Sequence, residues 1–179
     1  LMDKCRAMNL YGFHKDAVSM FLGEGGRIDV YVHPGYACAI RTVDAYYKAN
    51  MDMLCPENRR DIFPADRPVR TKNHEEVSSY YGESAVSRRS LVADNCIIEG
   101  DIENCIIFSG ARIGEGARLR DCIVMRGCTI GENARLDCVI ADKYSKFSPS
   151  LVLTGSPKLP MFPEAELLLR LIAAYLLCP

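Results

Sequence analysis

A short-period repeat in the second half of the chain most constrains what it can fold into. Ile102–Arg118 reads IENCIIFSGARIGEGAR, Leu119–Arg135 reads LRDCIVMRGCTIGENAR, and Leu136–Phe147 opens a third copy, LDCVIADKYSKF. A looser copy, VSRRSLVADNCIIEGD, precedes them at Val86–Asp101. Ile102, Leu119 and Leu136 head their copies at one constant step; Ile107 and Val124 keep it, as do Ile113 and Ile130. Within each copy an aliphatic residue recurs about every six positions. A small residue often closes the interval: Cys96 after Val92, Ala111 after Ile107, Ala117 after Ile113, Cys128 after Val124, Ala134 after Ile130. This hexapeptide pattern predicts a parallel β-helix, with three short strands per triangular coil. Branched residues point inward and small ones let the chain turn a tight corner. Gly114-Glu115-Gly116 and Gly131-Glu132-Asn133 supply turns. One coil cannot bury its own inner face, so the core forms by stacking. A meander of antiparallel strands is the competing reading; strand alternation alone would not hold register over three copies.

Cysteine usage follows from the repeat. The chain has nine cysteines. Cys105 and Cys122 keep the step of the repeat and Cys138 falls one position short of it, so the three are expected to stack at one corner. Cys96 and Cys128 take small-residue slots, as compact apolar fillers. No Cys-x-x-Cys pair or Cys/His cluster suggests zinc. The odd count fits reduced thiols rather than a disulfide framework, and a cytoplasmic protein is expected. Net charge is −1, which gives no basic excess for nucleic acid. Leu1 opens the chain with neither a Met start nor a signal-peptide pattern, as expected of a fragment.

The stretch before Arg59 lacks the repeat. Val18, Phe21 and Leu22 predict one helix over Asp16–Leu22, broken by Gly23-Glu24-Gly25-Gly26. Alternation over Ile28, Val30 and Val32 predicts a strand, and Tyr36–Ile40 a second extended segment. Thr42 is an N-cap candidate for a helix whose apolar face is Val43, Tyr46, Tyr47, Met51 and Leu54. This piece is too small to hold a core of its own and reads as the tail of a larger α/β domain. A linker with Pro56, Pro64 and Pro68 follows to Ser78, with Val69–Thr71 as a candidate docked strand. The expected parts are therefore 1–58, an α/β tail; 59–78, a linker; 79–160, the β-helix; and 161–179, an apolar C-terminal helix. That last helix is expected to pack on the open end of the β-helix or on a partner chain. Its apolar run is too short for the roughly 20 residues a bilayer span requires.

Many hexapeptide-repeat proteins are acyltransferases with a histidine between coils. Here His14, His33 and His74 all precede the repeats, so the coils lack the usual general base. GEGGRI at Gly23–Ile28 has a helix before it and a strand after it, the reverse of a phosphate-cradling loop. Arg112, Arg118, Arg126 and Arg135 fall in outward slots.

The order of parts resembles a known family. Gly35-Tyr36 and YYKANMDML, then RPVRTK, then YGESAVSRRSLVADNCIIEG and the coils, are similar to the C-terminal portion of ADP-glucose pyrophosphorylase (glucose-1-phosphate adenylyltransferase). The resemblance covers roughly Leu1 to Pro160. It implies the tail of a nucleotidyltransferase domain followed by a left-handed parallel β-helix that carries regulation and subunit contacts. The family's Gly-rich nucleotide loop, catalytic Asp and sugar-phosphate Lys lie in sequence outside this chain. Catalytic members read Gly-Tyr-Trp-x-Asp-Ile-Gly-Thr where this chain reads Gly35-Tyr36-Ala37-Cys38-Ala39-Ile40-Arg41-Thr42. Ala39 thus takes the place of a family Mg²⁺ ligand, and an Ala side chain cannot bind a metal. The resemblance implies no catalytic residue and no cofactor within this chain, with Mg²⁺ confined to the parent's catalytic domain. It points to the bacterial regulatory, non-catalytic subunit, assembled with a catalytic subunit of the same enzyme as a hetero- or homo-oligomer. A phosphorylated-sugar or nucleotide effector is implied, with Lys143 in Ile140-Ala141-Asp142-Lys143 as the candidate contact. The alternatives are a hexapeptide acyltransferase and a ligand-free structural assembly module.

Overall fold

A computed structural model describes residues 2–70 and 76–161. The chain forms two compact units, Leu1–Gly35 and a second beginning at Tyr36. In the first, helix α1 spans Met2–Ala7, and π-type turns over Phe13–Val18 run into helix α2, Ser19–Gly23. Cys5 and Ala17 are buried, and Lys4 pairs with Glu24 at 3.0 Å. The helix expected at Asp16–Leu22 is therefore present and starts earlier. The strand expected at Ile28–Val32 is not: the run forms no sheet pairing among the described residues, and Val30 is 87% exposed. Period-two alternation suits a strand only where a neighbouring strand takes up the backbone N–H and C=O groups.

In the second unit, residues 36–41 are extended but unpaired among the described residues. The helix capped by Thr42 is α3, Val43–Asp52; the Thr42 hydroxyl accepts from the Ala45 amide at 3.4 Å. The stretch that holds the linker prolines begins in a helix. Pro56 opens helix α4, Pro56–Ile62, at a first-turn position where the missing amide hydrogen costs nothing. Val69 is exposed and outside any strand, and Thr71 lies outside the described residues.

Among the described residues, fourteen short strands, β1 (Tyr80–Tyr81) to β14 (Val152–Thr154), then wind into three parallel sheets. The first sheet runs β1, β4 (Ile97–Ile98), β7 (Arg112–Ile113), β10 (Thr129–Ile130), β13 (Lys146–Phe147); the second β14, β11 (Arg135–Asp137), β8 (Arg118–Arg120), β5 (Asp101–Glu103), β2 (Val86–Arg88); the third β12 (Ile140–Ala141), β9 (Ile123–Val124), β6 (Ile106–Ile107), β3 (Leu91–Val92). This is a β-solenoid of hexapeptide repeats; a meander would pair its strands antiparallel. Register follows the repeat: Ile102 pairs with Leu119 and Leu119 with Leu136, while Ile113 pairs with Ile130. The stacked inward residues (Ile98, Ile113, Ile130 and Phe147 on one side; Ile102, Leu119 and Leu136 on the next; Ile107, Val124 and Ala141 on the third) are all at most 5% exposed.

The corners share one device. A residue with positive φ stands just before the small inward residue: Asn95 (φ 60) before Cys96, Gly110 (72) before Ala111, Asn104 (55) before Cys105, Asn133 (55) before Ala134. Asn and Gly reach this left-handed region at least cost. The looser first copy also has a geometric cause. Val86 pairs with Asp101, a shorter step along the chain than the one from Asp101 to its next partner, Arg118. The shortfall lies in one corner, where Glu99-Gly100 replaces a longer turn such as Gly114-Glu115-Gly116-Ala117. The shortened turn presses Gly100 onto the next rung. A Cβ there would lie 2.5 Å from the Ala117 carbonyl oxygen, so only glycine fits.

The cysteine stack is corrected in one member. Cys105 and Cys122 occupy one inward column, both fully buried. At the constant step of the repeat that column continues at Val139, and Cys138 falls in the column of corner residues, Asn104 (φ 55), Asp121 (φ 52) and Cys138 (φ 52). Cys138 is thus a left-handed turn residue beside the core.

Candidate functional site

The third sheet differs from the other two. On the first, the outward positions include Arg112, Thr129 and Lys146; on the second, Arg118, Arg120 and Arg135. On the third they are Leu91, Ile106, Ile123 and Ile140. Ile123 and Ile140 are completely buried because α3 lies across them. Tyr47 packs on both, with Val43, Tyr46, Met51 and Met125 around it. Its hydroxyl donates to the Asp121 carbonyl at 2.6 Å. Burial first, then its polar neighbours, raise the Tyr47 phenol well above its ordinary value, so it stays a neutral donor. The doublets Leu91-Val92, Ile106-Ile107, Ile123-Val124 and Ile140-Ala141 are the sequence signal for this second apolar face.

Lys143 stands at the corner beyond that face. It is exposed, and its backbone amide donates to the Asp142 carboxylate at 2.7 Å. Tyr46 of α3 lies near Asp142: burial, chiefly, raises the Tyr46 phenol, and the Asp142 charge adds to it. The rung before carries Arg126, whose carbonyl accepts from the Tyr144 amide at 2.9 Å. Arg126 pairs with Glu76 at 2.8 Å. Arg112, Arg118, Arg126 and Arg135 are all exposed.

Ala39 lies in the extended run and is exposed. That run is anchored at Tyr36, whose hydroxyl donates to Asp52 at 2.9 Å and whose amide donates to Asp61. Lys48 also holds Asp52, at 2.9 Å. Ala39 offers no ligand atom, so this position cannot itself hold a magnesium ion.

Sequence spacing showed no acidic cluster, yet the coil brings Asp121, Asp137 and Cys138 within 4.8 Å of one another. The spacing of the cysteines concealed this, because it set Cys138 in the wrong column. Burial raises the Cys138 thiol, and Asp121 is already in contact with the Asn104 amide.

Of the three histidines, His33 is exposed and His74 lies outside the described residues. The predicted C-terminal apolar helix also falls outside them, apart from Met161, which bridges to Val139 in parallel. No helix among the described residues is long and apolar enough to cross a membrane.

Fold and repeat together define a hexapeptide-repeat β-helix protein. Residues 74–157 match the family model of GlmU-like C-terminal hexapeptide domains. Beyond that domain, the chain is similar to the glycogen biosynthesis protein GlgD of Bacillus subtilis (strain 168), with 40% identity over 131 residues, which is 73% of this chain and 38% of that protein. It is 33% identical to the glucose-1-phosphate adenylyltransferase of Geobacillus stearothermophilus over 116 residues, 65% of this chain and 30% of that protein. The adenylyltransferase of Clostridium botulinum (strain Alaska E43 / Type E3) is 27% identical over 119 residues, 66% and 31% of the two chains. The resemblance to the C-terminal region of ADP-glucose pyrophosphorylase therefore holds, with GlgD the most identical of these three relatives. The chain spans between about 30% and 38% of the length of these relatives.

Proposed function

We propose that the chain is the C-terminal regulatory and subunit-contact region of a glucose-1-phosphate adenylyltransferase-type subunit in glycogen biosynthesis, and that this subunit does not itself catalyse adenylyl transfer. One feature supports the reading: the family resemblance sets Ala39, an exposed residue with no ligand atom, against the family's metal-ligand position, in a segment joined through α3 to a hexapeptide β-helix. A coil that commits an outward sheet face to holding α3 couples the two parts mechanically. That coupling supports a regulatory role for residues at their meeting point. Lys143 is the proposed contact for a phosphorylated-sugar or nucleotide effector. It is exposed, and it is the neighbour in sequence of Asp142, which faces Tyr46 of α3. The partner is proposed to be a catalytic subunit of the same enzyme, in the cytoplasm.

The test uses the full-length parent protein. ADP-glucose formation from ATP and glucose 1-phosphate is assayed with Mg²⁺, alone and with a co-expressed catalytic subunit. No turnover alone, together with an altered effector response of the mixed enzyme that Lys143→Gln abolishes, is the expected result. Robust turnover by the isolated subunit refutes the non-catalytic reading. An effector response indifferent to Lys143→Gln refutes the assigned contact.

A further inference from the structure

The corner that receives Tyr47 gathers a set of side chains that the fold alone does not require. Asp121, Asp137 and Cys138 each bring one ligand atom within 4.8 Å of the others. The coil places them. Asp121 and Cys138 stand on successive rungs of one corner column, both at φ 52, and Asp137 ends the strand that leads into Cys138. Two carboxylates this close repel one another unless a cation stands between them. Neither forms an ion pair among the described residues, because Arg120, the register partner of Asp137, turns to Glu103 at 3.5 Å instead.

Cys138 is the more telling residue. The other buried cysteines of the coil give their S–H to main-chain carbonyls: Cys96 to Phe108 at 3.2 Å, Cys105 to Glu103 at 3.1 Å, Cys122 to Arg120 at 3.0 Å and Cys128 to Asp142 at 2.8 Å. The Cys138 thiol, on a residue 6% exposed, is left without such a partner and is turned onto the two carboxylates. Its backbone is also left-handed, where Asn104 and Asp121 of the same column are at ease and a cysteine adds strain. Strain of this kind points to a role for the side chain rather than for the turn.

We infer that Asp121, Asp137 and Cys138 bind one zinc-type divalent cation. Thiolate and carboxylate together suit zinc, and the sulfur disfavours magnesium and calcium. Tetrahedral zinc holds such atoms roughly 3.3–3.6 Å apart, which small side-chain rotations reach from separations within 4.8 Å. The thiol proton leaves to solvent as the zinc–sulfur bond forms. Three protein ligands leave one position for water, and the half-buried carboxylates give the ion its entry path. Asn104, whose amide donates to Asp121, orients that ligand from behind. The bound ion ties two successive rungs together where the Tyr47 hydroxyl meets the Asp121 carbonyl, so it braces the seam between α3 and the coil. The site shares no residue with Lys143, and the inference stands apart from the function proposed there.

Cobalt and zinc titrations of the whole chain, reduced with a phosphine and stripped of metal by a chelator, test it. One equivalent of Co²⁺ is expected to develop thiolate-to-cobalt charge-transfer absorption that Zn²⁺ abolishes and Mg²⁺ leaves unchanged. Cys138→Asn removes the band. Asn keeps the turn, and the rung is held without the thiol: the residue 138 amide donates to the Arg120 carbonyl at 3.0 Å and its carbonyl accepts from the Met161 amide at 3.0 Å. Asp137→Asn keeps the band but weakens cobalt binding about tenfold or more, since even an outer-shell partner is worth about 10–100-fold. Cys38→Ser, at an exposed thiol outside the site, changes neither. Zinc raises the Tm of the parent and not that of Cys138→Asn. Absence of the band overturns the inference, as does a band that survives Cys138→Asn, vanishes with Cys38→Ser or is displaced by Mg²⁺. If Cys138→Asn does not fold, Asp137→Asn decides: cobalt affinity equal to that of the parent overturns the inference.

Discussion

Replacing Ile123 with Ala tests whether α3 belongs to the β-helix or only lies beside it. In a bare hexapeptide coil, the first residue of each strand doublet faces solvent, as Arg112 does in the first sheet. Ile123 occupies that outward slot but is 0% exposed, covered by Tyr47 and flanked by Ile140. Removing its outer carbons loses about 1.5–3 kcal/mol of burial and leaves a cavity under a ring that Asp121 holds by its hydroxyl, so the total is about 2–5 kcal/mol. For a chain of this size each kcal/mol lowers Tm by about 2–4 °C. The expected shift is therefore about 5–15 °C in thermal unfolding followed by far-UV circular dichroism. Ile130→Ala, which opens the inside of the coil (1% exposed), should cost a similar amount. Arg112→Ala should stay within about 0.5 kcal/mol of the parent. If Ile123→Ala behaves like Arg112→Ala while Ile130→Ala is costly, α3 does not cover the third sheet, and the coupling between α3 and the coil fails with it.

Two further outcomes follow from the corners and the core. Burial raises the Cys128 thiol from about 9.0 to about 11, so the folded state holds a proton that the unfolded chain releases earlier; its contribution is intact below about pH 9 and lost as pH rises through about 11. Alkaline unfolding monitored between those values should be less steep in Cys128→Ala than in the parent, and equal slopes would refute it. Cys138→Asn should be neutral or stabilising by up to about 1 kcal/mol in urea unfolding, because Asn suits the positive φ that Asn104 already adopts in the same column; a loss above about 2 kcal/mol would place Cys138 in the core column instead.

What the sequence made legible was whatever a neighbouring rung enforces. Ile102, Leu119 and Leu136 announce themselves because each must sit on the last, so one step length repeats and the eye finds it. Two features escaped for a local reason. The shortened first step is a deletion in a corner, which shifts no inward residue and is betrayed only by Gly100 against Ala117. Cys138 was aligned by residue type, whereas its place is set by backbone conformation, and a cysteine at positive φ gives no compositional warning. The features that bear on function escaped for a different reason. Outward Ile123 and Ile140 are visible as apolar doublets, but a doublet names no partner; only docking says that Tyr47, far upstream in the chain, is the residue that covers them. A solenoid writes its contacts into its period, so its core can be read along the chain. A helix laid on the outside of it is recorded only as a departure from that period: an isoleucine where an arginine would serve.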